Sequence, residues 1–234
     1  MIRTADEVHD SEKRRRLDAS DILEKSHFLW TVVLFNTEVD KDTLARVGEA
    51  FWPLRVLVFK KLLDRLNNNT RDLLHLVAKN GLLGMVQNLI KLLKEKSMLH
   101  NEHISEAFRE ACGNGHLAVA QWLVETFRLT ADDARAEDNE AFSDACHHEH
   151  LAVAQWLVEK FGLIADDARV WDNYAFRGAC ENGHLVVAQW LVETFELTAD
   201  DARADDNVAL RCACHNEHLA VTQWLHETFG IENT

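Results

Sequence analysis

Residues 139–172 read NEAFSDACHHEHLAVAQWLVEKFGLIADDARVWD, and similar segments in the same 34-residue frame begin at Ser105, Asn173 and Asn207. They align without gaps, so that two residue types recur at a constant spacing: His116, His150, His184 and His218, and Trp122, Trp156, Trp190 and Trp224. A less regular segment at residues 72–93 fits the same frame and makes five units. A fixed period of this length is typical of stacked repeats, in which each unit buries its apolar face against its neighbours.

Each unit has the pattern of two helices joined by a short turn. The first helix carries one apolar stripe at helical spacing, which in residues 139–172 is Ala141, Phe142, Ala145 and Cys146. The second helix follows a His-Leu pair and again has an apolar face, for example Leu117, Ala120, Leu123, Val124 and Phe127. The predicted N-caps of the first helices are Ser105, Asn139, Asn173 and Asn207.

The connector after the second helix is predicted to form a short capped turn. Residues Thr130-Ala131-Asp132-Asp133 have the Ser/Thr-x-x-acid pattern of a capping box. Arg135 lies three residues past Asp132, and we expect the two to pair across this turn.

The units resemble ankyrin repeats. Ala111-Cys112-x-Asn114-Gly115-His116-Leu117-x-Val119, followed by Trp122-Leu123-Val124-Glu125, is similar to the family's Ala-Ala-x-x-Gly-His-Leu-x-Val-Val and Leu-Leu-Leu core. The resemblance covers residues 70–234 and implies an all-α, ankyrin-like helical repeat solenoid. The family's Thr-Pro-Leu-His opening is replaced, as in Glu140-Ala141-Phe142-Ser143, and its Gly-Ala-Asp hairpin is replaced by residues 129–135. We therefore expect helical turns in place of β-hairpins.

One turn position alternates between two residue types, as Gly115, Glu149, Gly183 and Glu217. The resemblance implies a positive φ at this position, which glycine adopts most easily. Either the turn is rebuilt in alternate units or the two glutamates accept the strain.

The first 69 residues lie outside the repeats. Residues 1–20 are predicted to be a disordered basic and polar tail containing Lys13-Arg14-Arg15-Arg16, and residues 21–69 a helical N-terminal cap or a small docking domain. The repeats are expected at about 70–104, 105–138, 139–172, 173–206 and 207–234. The expected location is intracellular and cytoplasmic, and the basic run leaves nuclear import open as an alternative.

Charge is unevenly distributed along a chain whose net charge is −14. Residues 1–100 carry 17 Lys and Arg against 14 Asp and Glu, whereas residues 101–234 carry 8 against 25. The acidic second part repels phosphates and anionic lipids, which argues against nucleic acid and membrane partners. We expect a monomer whose protein partner has a basic or mixed basic and apolar surface. The alternative is that the acidic surface serves only solubility.

Five cysteines and thirteen histidines raise the question of a zinc site. Stacked helices are about 8–10 Å apart, so cysteines that recur once per unit are too far apart for a disulfide or one tetrahedral zinc site. The cluster His147-His148-Glu149-His150 lies in a predicted turn and lacks the His-Glu-x-x-His spacing of zinc hydrolases. We expect no metal, cofactor or catalytic site, and we expect the periodic histidines to link adjacent turns by hydrogen bonds.

Positions that vary between units define the candidate binding surface. Trp171 and Tyr174 replace charged or aliphatic residues, and interface hot spots favour Trp, Tyr and Arg. Helical spacing would place Arg177 on the same strip; the alternative is that Trp171 packs on its own loop. The predicted partner-binding residues, on the concave face that the resemblance implies, are Trp171, Tyr174, Arg177, Arg109, Arg211, Glu140 and Ser143.

The sequence thus predicts a non-enzymatic protein–protein interaction scaffold. Two alternatives stay open. One is an adaptor whose residues 21–66 recruit a second machinery such as a ubiquitin ligase, and the other is a structural subunit of a larger assembly or particle.

Overall fold

The computed structural model describes residues 70–95 and 97–231, and of residues 70–72 it describes the backbone alone. The predicted tail at residues 1–20, the predicted cap or docking domain at residues 21–69 and the basic run at residues 13–16 lie outside the described residues. Within them every regular element is a helix, and there is no strand. No helix in these ranges is both long enough and apolar enough to cross a bilayer.

Thirteen helices follow one another in the described residues. They are α1 (Thr70–Lys79), α2 (Leu83–Glu95), α3 (Asn101–Gly113), α4 (Leu117–Phe127), α5 (Ala131–Ala134), α6 (Ala136–His147), α7 (Leu151–Phe161), α8 (Ala165–Ala168), α9 (Val170–Glu181), α10 (Leu185–Phe195), α11 (Ala199–Ala202), α12 (Ala204–His215) and α13 (Leu219–Phe229).

The helices form five units in series, which confirms the predicted all-helical repeat architecture. Each unit contains a pair of long helices: α1 and α2, α3 and α4, α6 and α7, α9 and α10, and α12 and α13. The first helices α3, α6, α9 and α12 pack against one another in succession. Their contact surfaces are rich in small side chains such as Ala111, Ala145 and Ala179, all fully buried, which let the helices approach closely.

Aromatic side chains join each unit to the next. Phe108, Phe142 and Phe176 are the largest fully buried residues of the first helices. The Phe142 ring lies 5.7 Å from that of Phe195, edge to face, in the second helix of the following unit. Phe108–Phe161 repeats this contact one unit earlier at 6.2 Å, and the Phe176 ring lies 6.3 Å from that of Trp224 in the next unit. A unit therefore completes its core only with its neighbour, as expected for a repeat protein.

The connectors form the short helices α5, α8 and α11, so the predicted capped helical turns are confirmed. In α5 the Thr130 N–H donates to Asp133 Oδ2 at 2.7 Å, and the Asp133 N–H donates back to Thr130 Oγ1 at 3.4 Å. In α8 an isoleucine replaces the threonine, and the Ile164 N–H still donates to Asp167 at 2.8 Å. The acidic residue, not the hydroxyl, is thus the constant part of the cap.

Two local predictions are wrong. Arg135 pairs with Asp167 of the next connector, at 2.8 Å, and not with Asp132 of its own, because only Asp167 accepts both ends of the guanidinium fork. Ser105 is no N-cap, because α3 already begins at Asn101 and the Ser105 hydroxyl donates to the Asn101 carbonyl at 3.3 Å.

The turn between the paired helices has one conformation in every unit. Gly115, Glu149, Gly183 and Glu217 have φ values of 78°, 65°, 78° and 61°, so the two glutamates adopt the left-handed strain and the turn is not rebuilt. His116 Nε2 lies 2.8 Å from the Lys79 carbonyl oxygen of the preceding unit, which confirms for this histidine the predicted link between adjacent turns. His184 Nδ1 instead lies 3.6 Å from Glu149 Oε2.

Candidate partner-binding site

Three consecutive residues near the start of α6, α9 and α12 have a left-handed backbone, with φ between 51° and 63°. These left-handed turns are Glu137-Asp138-Asn139, Trp171-Asp172-Asn173 and Asp205-Asp206-Asn207. This conformation costs a non-glycine residue roughly 1–2 kcal/mol, least for Asn and Asp. Seven of the nine positions are Asn or Asp, and Trp171 is the bulkier of the two that gain no such tolerance, the other being Glu137.

The asparagine of each left-handed turn was predicted to be an N-cap, and for Asn139 and Asn173 this is wrong. The Asn139 Nδ2 donates to the Asp167 carbonyl of the next connector at 3.2 Å, and Asn173 repeats the bond with Asp201. Both residues are buried, and neither amide oxygen has a hydrogen-bond partner. The left-handed backbone takes them out of the extended geometry that an N-cap needs, so they brace successive units instead.

An arginine in one first helix usually pairs with the left-handed turn of the next unit. Arg109 Nη1 lies 3.6 Å from Glu137 Oε1, and its Nε lies 3.0 Å from Glu140 Oε2. Arg177 Nη1 donates to Asp205 Oδ2 at 3.2 Å, one step further along. In both cases the acid lies 28 residues after the arginine.

The middle step of this series is the exception. Ser143 occupies the arginine position, and Trp171, 28 residues later, occupies the acid position. The Trp171 side chain is 68% exposed, and its indole N–H donates to Asp138 Oδ2 of the preceding left-handed turn at 2.9 Å. Trp171 is therefore fixed to the preceding unit rather than packed on its own loop.

The serine–tryptophan exception coincides with a cavity of about 340 Å³. It is lined by Glu137, Asp138, Glu140, Ser143, Asp144, Val170, Trp171 and Tyr174. Ser143 is 5% exposed. The corresponding residues in the flanking units are Arg109 and Arg177, and each pairs with an acid of the next unit.

Negative charge dominates the cavity. Burial raises the pKa of Glu140, although Arg109 opposes the shift. Burial also raises the pKa of Tyr174, and the carboxylates of Asp144, Glu181 and Glu140 add to the increase. The lining contains four carboxylates and no basic residue, and Arg109 pairs with two of these carboxylates, Glu137 and Glu140.

Tyr174 is held in place from two sides. Its ring stacks on the His147 imidazole, with centroids 5.9 Å apart and planes 10° from parallel. The Arg177 guanidinium lies 5.9 Å from the centroid of the tyrosine ring. His147 needs Gly178 beneath it, because a Cβ at that position would lie 2.5 Å from His147 Nδ1.

The predicted binding residues are thus partly brought together. Trp171, Tyr174, Glu140 and Ser143 line one cavity, with Ser143 contributing only a buried surface. Arg109 contacts the cavity wall, and it also lines a second cavity of about 310 Å³ that shares Glu140 and Asp144. Arg177 lies over Tyr174, whereas Arg211 is exposed and lines neither cavity.

The predicted binding residues left out three carboxylates of the site, Glu137, Asp138 and Asp144. Asp138 belongs to a column that is aspartate in three units, so the pattern gave it a structural role. Asp144 stands in a variable column with Glu110, Gly178 and Cys212, and this variability is the signal that could have identified it.

The fold places the buried cysteines considered for metal binding in separate units. Among the described residues no three His, Cys, Asp or Glu side chains are grouped so that they could hold a metal ion. Cys112, Cys146 and Cys180 are free and buried, and burial raises the pKa of each thiol. His147 was predicted in a turn, but it is the last residue of α6 and packs on the next unit, where burial lowers its pKa.

Comparison of the chain with models of known protein families finds no match, and comparison with curated protein sequences finds none either. The functional interpretation therefore depends on the repeat architecture and on the residues of this site.

Proposed function

We propose that this protein is a non-enzymatic interaction scaffold: an ankyrin-like solenoid that binds a protein partner through its first helices and left-handed turns. The observation that carries this proposal is Trp171. A large apolar side chain is 68% exposed at a backbone position with φ of 53°, where the equivalent residues are Glu137 and Asp205. Neither the exposure nor the strain benefits folding, so the tryptophan is best explained by contact with a partner.

The surroundings of Trp171 favour a specific contact over a general apolar patch. Its indole is oriented by the hydrogen bond to Asp138, and Tyr174 is held between His147 and Arg177. Side chains already fixed before binding lose little entropy in a complex. The carboxylates of the adjoining cavity favour a partner with a basic or mixed basic and apolar surface, because complementary charge speeds encounter and excludes acidic partners.

The test is affinity capture from the native cell, followed by calorimetry with the purified partner. Trp171→Ala alone, and together with Tyr174→Ala, should weaken binding by about 2 kcal/mol or more if these residues are hot spots. The matched control is Val186→Ala with Leu219→Ala, two apolar residues of the second helices that are 60% and 78% exposed. Melting curves of all variants separate lost binding from lost folding.

Two results would contradict the proposal. One is a Trp171→Ala variant that binds its partner as tightly as the parent chain. The other is equal weakening by the Val186 and Leu219 control, which would assign binding to the second helices.

A further inference from the structure

The cavity beside Trp171 lies at the one place in the series of arginine–acid pairs, between Arg109 and Arg177, where the arginine is missing. The Arg109 guanidinium pairs with Glu137 and Glu140, and the Arg177 guanidinium pairs with Asp205. Ser143 stands between these two arginines in the same column, and it lines a cavity of about 340 Å³. The repeat thus defines a place for a guanidinium that the chain itself fills on either side but not here.

The polar groups of the cavity have unused capacity. Asp138 accepts the Trp171 indole N–H, and Glu137 and Glu140 share the single cation Arg109. Asp144 lines both this cavity and the second one, and its carboxylate forms no ion pair within the described residues. A donor-rich cation would satisfy this carboxylate, because ion-paired carboxylates accept several N–H donors.

The aromatic part of the lining also fits a guanidinium. The guanidinium of Arg177 already lies 5.9 Å from the centroid of the Tyr174 ring. Trp171 adds a second ring at the edge of the cavity. An arginine stacks its flat guanidinium and aliphatic stem on aromatic rings and offers five donors in a fixed fork, whereas a lysine offers one compact, strongly hydrated charge.

We infer that this cavity receives an arginine side chain from an exposed segment of the partner protein, taking the place of the internal arginine that Ser143 replaces. The guanidinium donates to Asp144, and the arginine stem lies against Trp171 at the edge of the cavity. This inference rests on the proposed function and specifies the chemistry that its site recognises.

The test uses the ¹⁵N-labelled full chain and three short peptides, acetyl-Gly-X-Gly-amide, in which X is arginine, citrulline or lysine. Citrulline has nearly the shape of arginine without its charge. The arginine peptide should shift the backbone amides of residues 140–144 and 170–175 in a saturable manner, more strongly than lysine, and citrulline should not. Equal shifts with citrulline or lysine would overturn the arginine assignment.

Three variants sharpen the test. Asp144→Asn should lower the affinity for the arginine peptide roughly fivefold. This factor corresponds to the loss of a partly exposed ion pair of about 1 kcal/mol. Glu193→Gln, which removes one exposed negative charge from α10, should leave it unchanged. The double substitution Ser143→Arg with Trp171→Glu recreates the arginine–acid pair of the flanking steps and should abolish binding while the melting temperature is kept or raised. If that variant still binds the peptide, the inference is wrong.

The chain's own basic run is the rival occupant. If the arginine peptide binds only after Arg14, Arg15 and Arg16 are replaced by serine, the cavity is filled by this chain and the assignment to a partner is overturned. If the peptide never binds but Trp171→Ala still abolishes partner capture, the proposed function stands and only the arginine chemistry fails. If the substitutions weaken neither peptide binding nor partner capture, the proposed function and the arginine inference both fail.

Discussion

Arg135 and Asp167 form a two-point ion pair across the boundary between successive units, with Nε 2.8 Å from Oδ1 and Nη2 3.1 Å from Oδ2. The pair recurs between Arg169 and Asp201 at 2.8 and 3.2 Å. Asp167 also accepts the Ile164 N–H of its own connector. One carboxylate therefore caps a short helix and ties it to the preceding unit.

Asp167→Asn should lower the free energy of unfolding by about 2 kcal/mol. The Asp167 side chain is only 10% exposed, and hydrogen bonds to a charged group contribute roughly 1.5–3 kcal/mol each when one partner is lost. Urea unfolding at pH 7 measures the change. Asp166→Asn in the same connector is exposed and should change stability by less than about 0.5 kcal/mol. Equal effects of the two substitutions would show that the ion pair does not stabilise the stack.

Protonation of the Asp201 carboxylate should lower the free energy of unfolding in acid. Its pKa drops from 3.8 to about 2, chiefly through its hydrogen bond with Arg169, with further help from the Thr198 backbone. Because the folded pKa lies below the unfolded one, the carboxylate contributes its full stabilisation above the unfolded pKa. That contribution is lost as pH falls from about 4 to about 2.

The measurement compares urea unfolding of the parent chain and Asp201→Asn from pH 6 down to pH 2. The stability difference between them should stay constant above pH ~5 and shrink towards zero at the acid end. A difference that persists at pH 2 would mean that Asp201 acts through its shape rather than its charge.

Gly178 and His147 should show strong energetic coupling. Gly178→Ala places a Cβ about 2.5 Å from His147 Nδ1, so the imidazole must move and the stacked Tyr174 with it. Overpacking of this kind costs roughly 1–3 kcal/mol, against which the better helix propensity of alanine returns about 1 kcal/mol. The Tyr174 ring resonances should shift in the Gly178→Ala variant.

His147→Ala with Gly178→Ala removes the clash and completes a double-mutant cycle. The pair should be more stable than the sum of the single changes implies, by about 1 kcal/mol. Additive changes would place the His147 ring away from Gly178 in solution.

Trp171→Asn should separate stability from binding. Asparagine tolerates a φ of 53° better than tryptophan does, while the exposed bond to Asp138 is lost. We expect the free energy of unfolding to stay the same or rise by up to about 1 kcal/mol, and partner affinity to fall by about 2 kcal/mol. A marked fall in melting temperature with normal binding would make Trp171 a packing residue and refute the site assignment.

The repeat, its two-helix unit and the capped connectors could all be predicted from the sequence. The 34-residue period places Phe142 and Ala145 on one stripe, and only stacking on neighbours can bury such stripes. The Thr130–Asp133 cap is equally local, since both partners lie within one helical turn. The departure of Trp171 and Tyr174 from their columns was also visible in the sequence.

The contacts between residues of different units became known only from the tertiary structure. Arg135 has Asp132 nearby in sequence but pairs with Asp167, because stacking brings the next connector within reach of its long side chain. The left-handed turn at Trp171 left no sign in the helical pattern, since backbone handedness there depends on bonds such as Asn173 to Asp201 in the following connector. The cavity at Ser143 likewise appears only when that serine is set beside Trp171, 28 residues away, because a cavity is a property of packed neighbours and not of one chain segment.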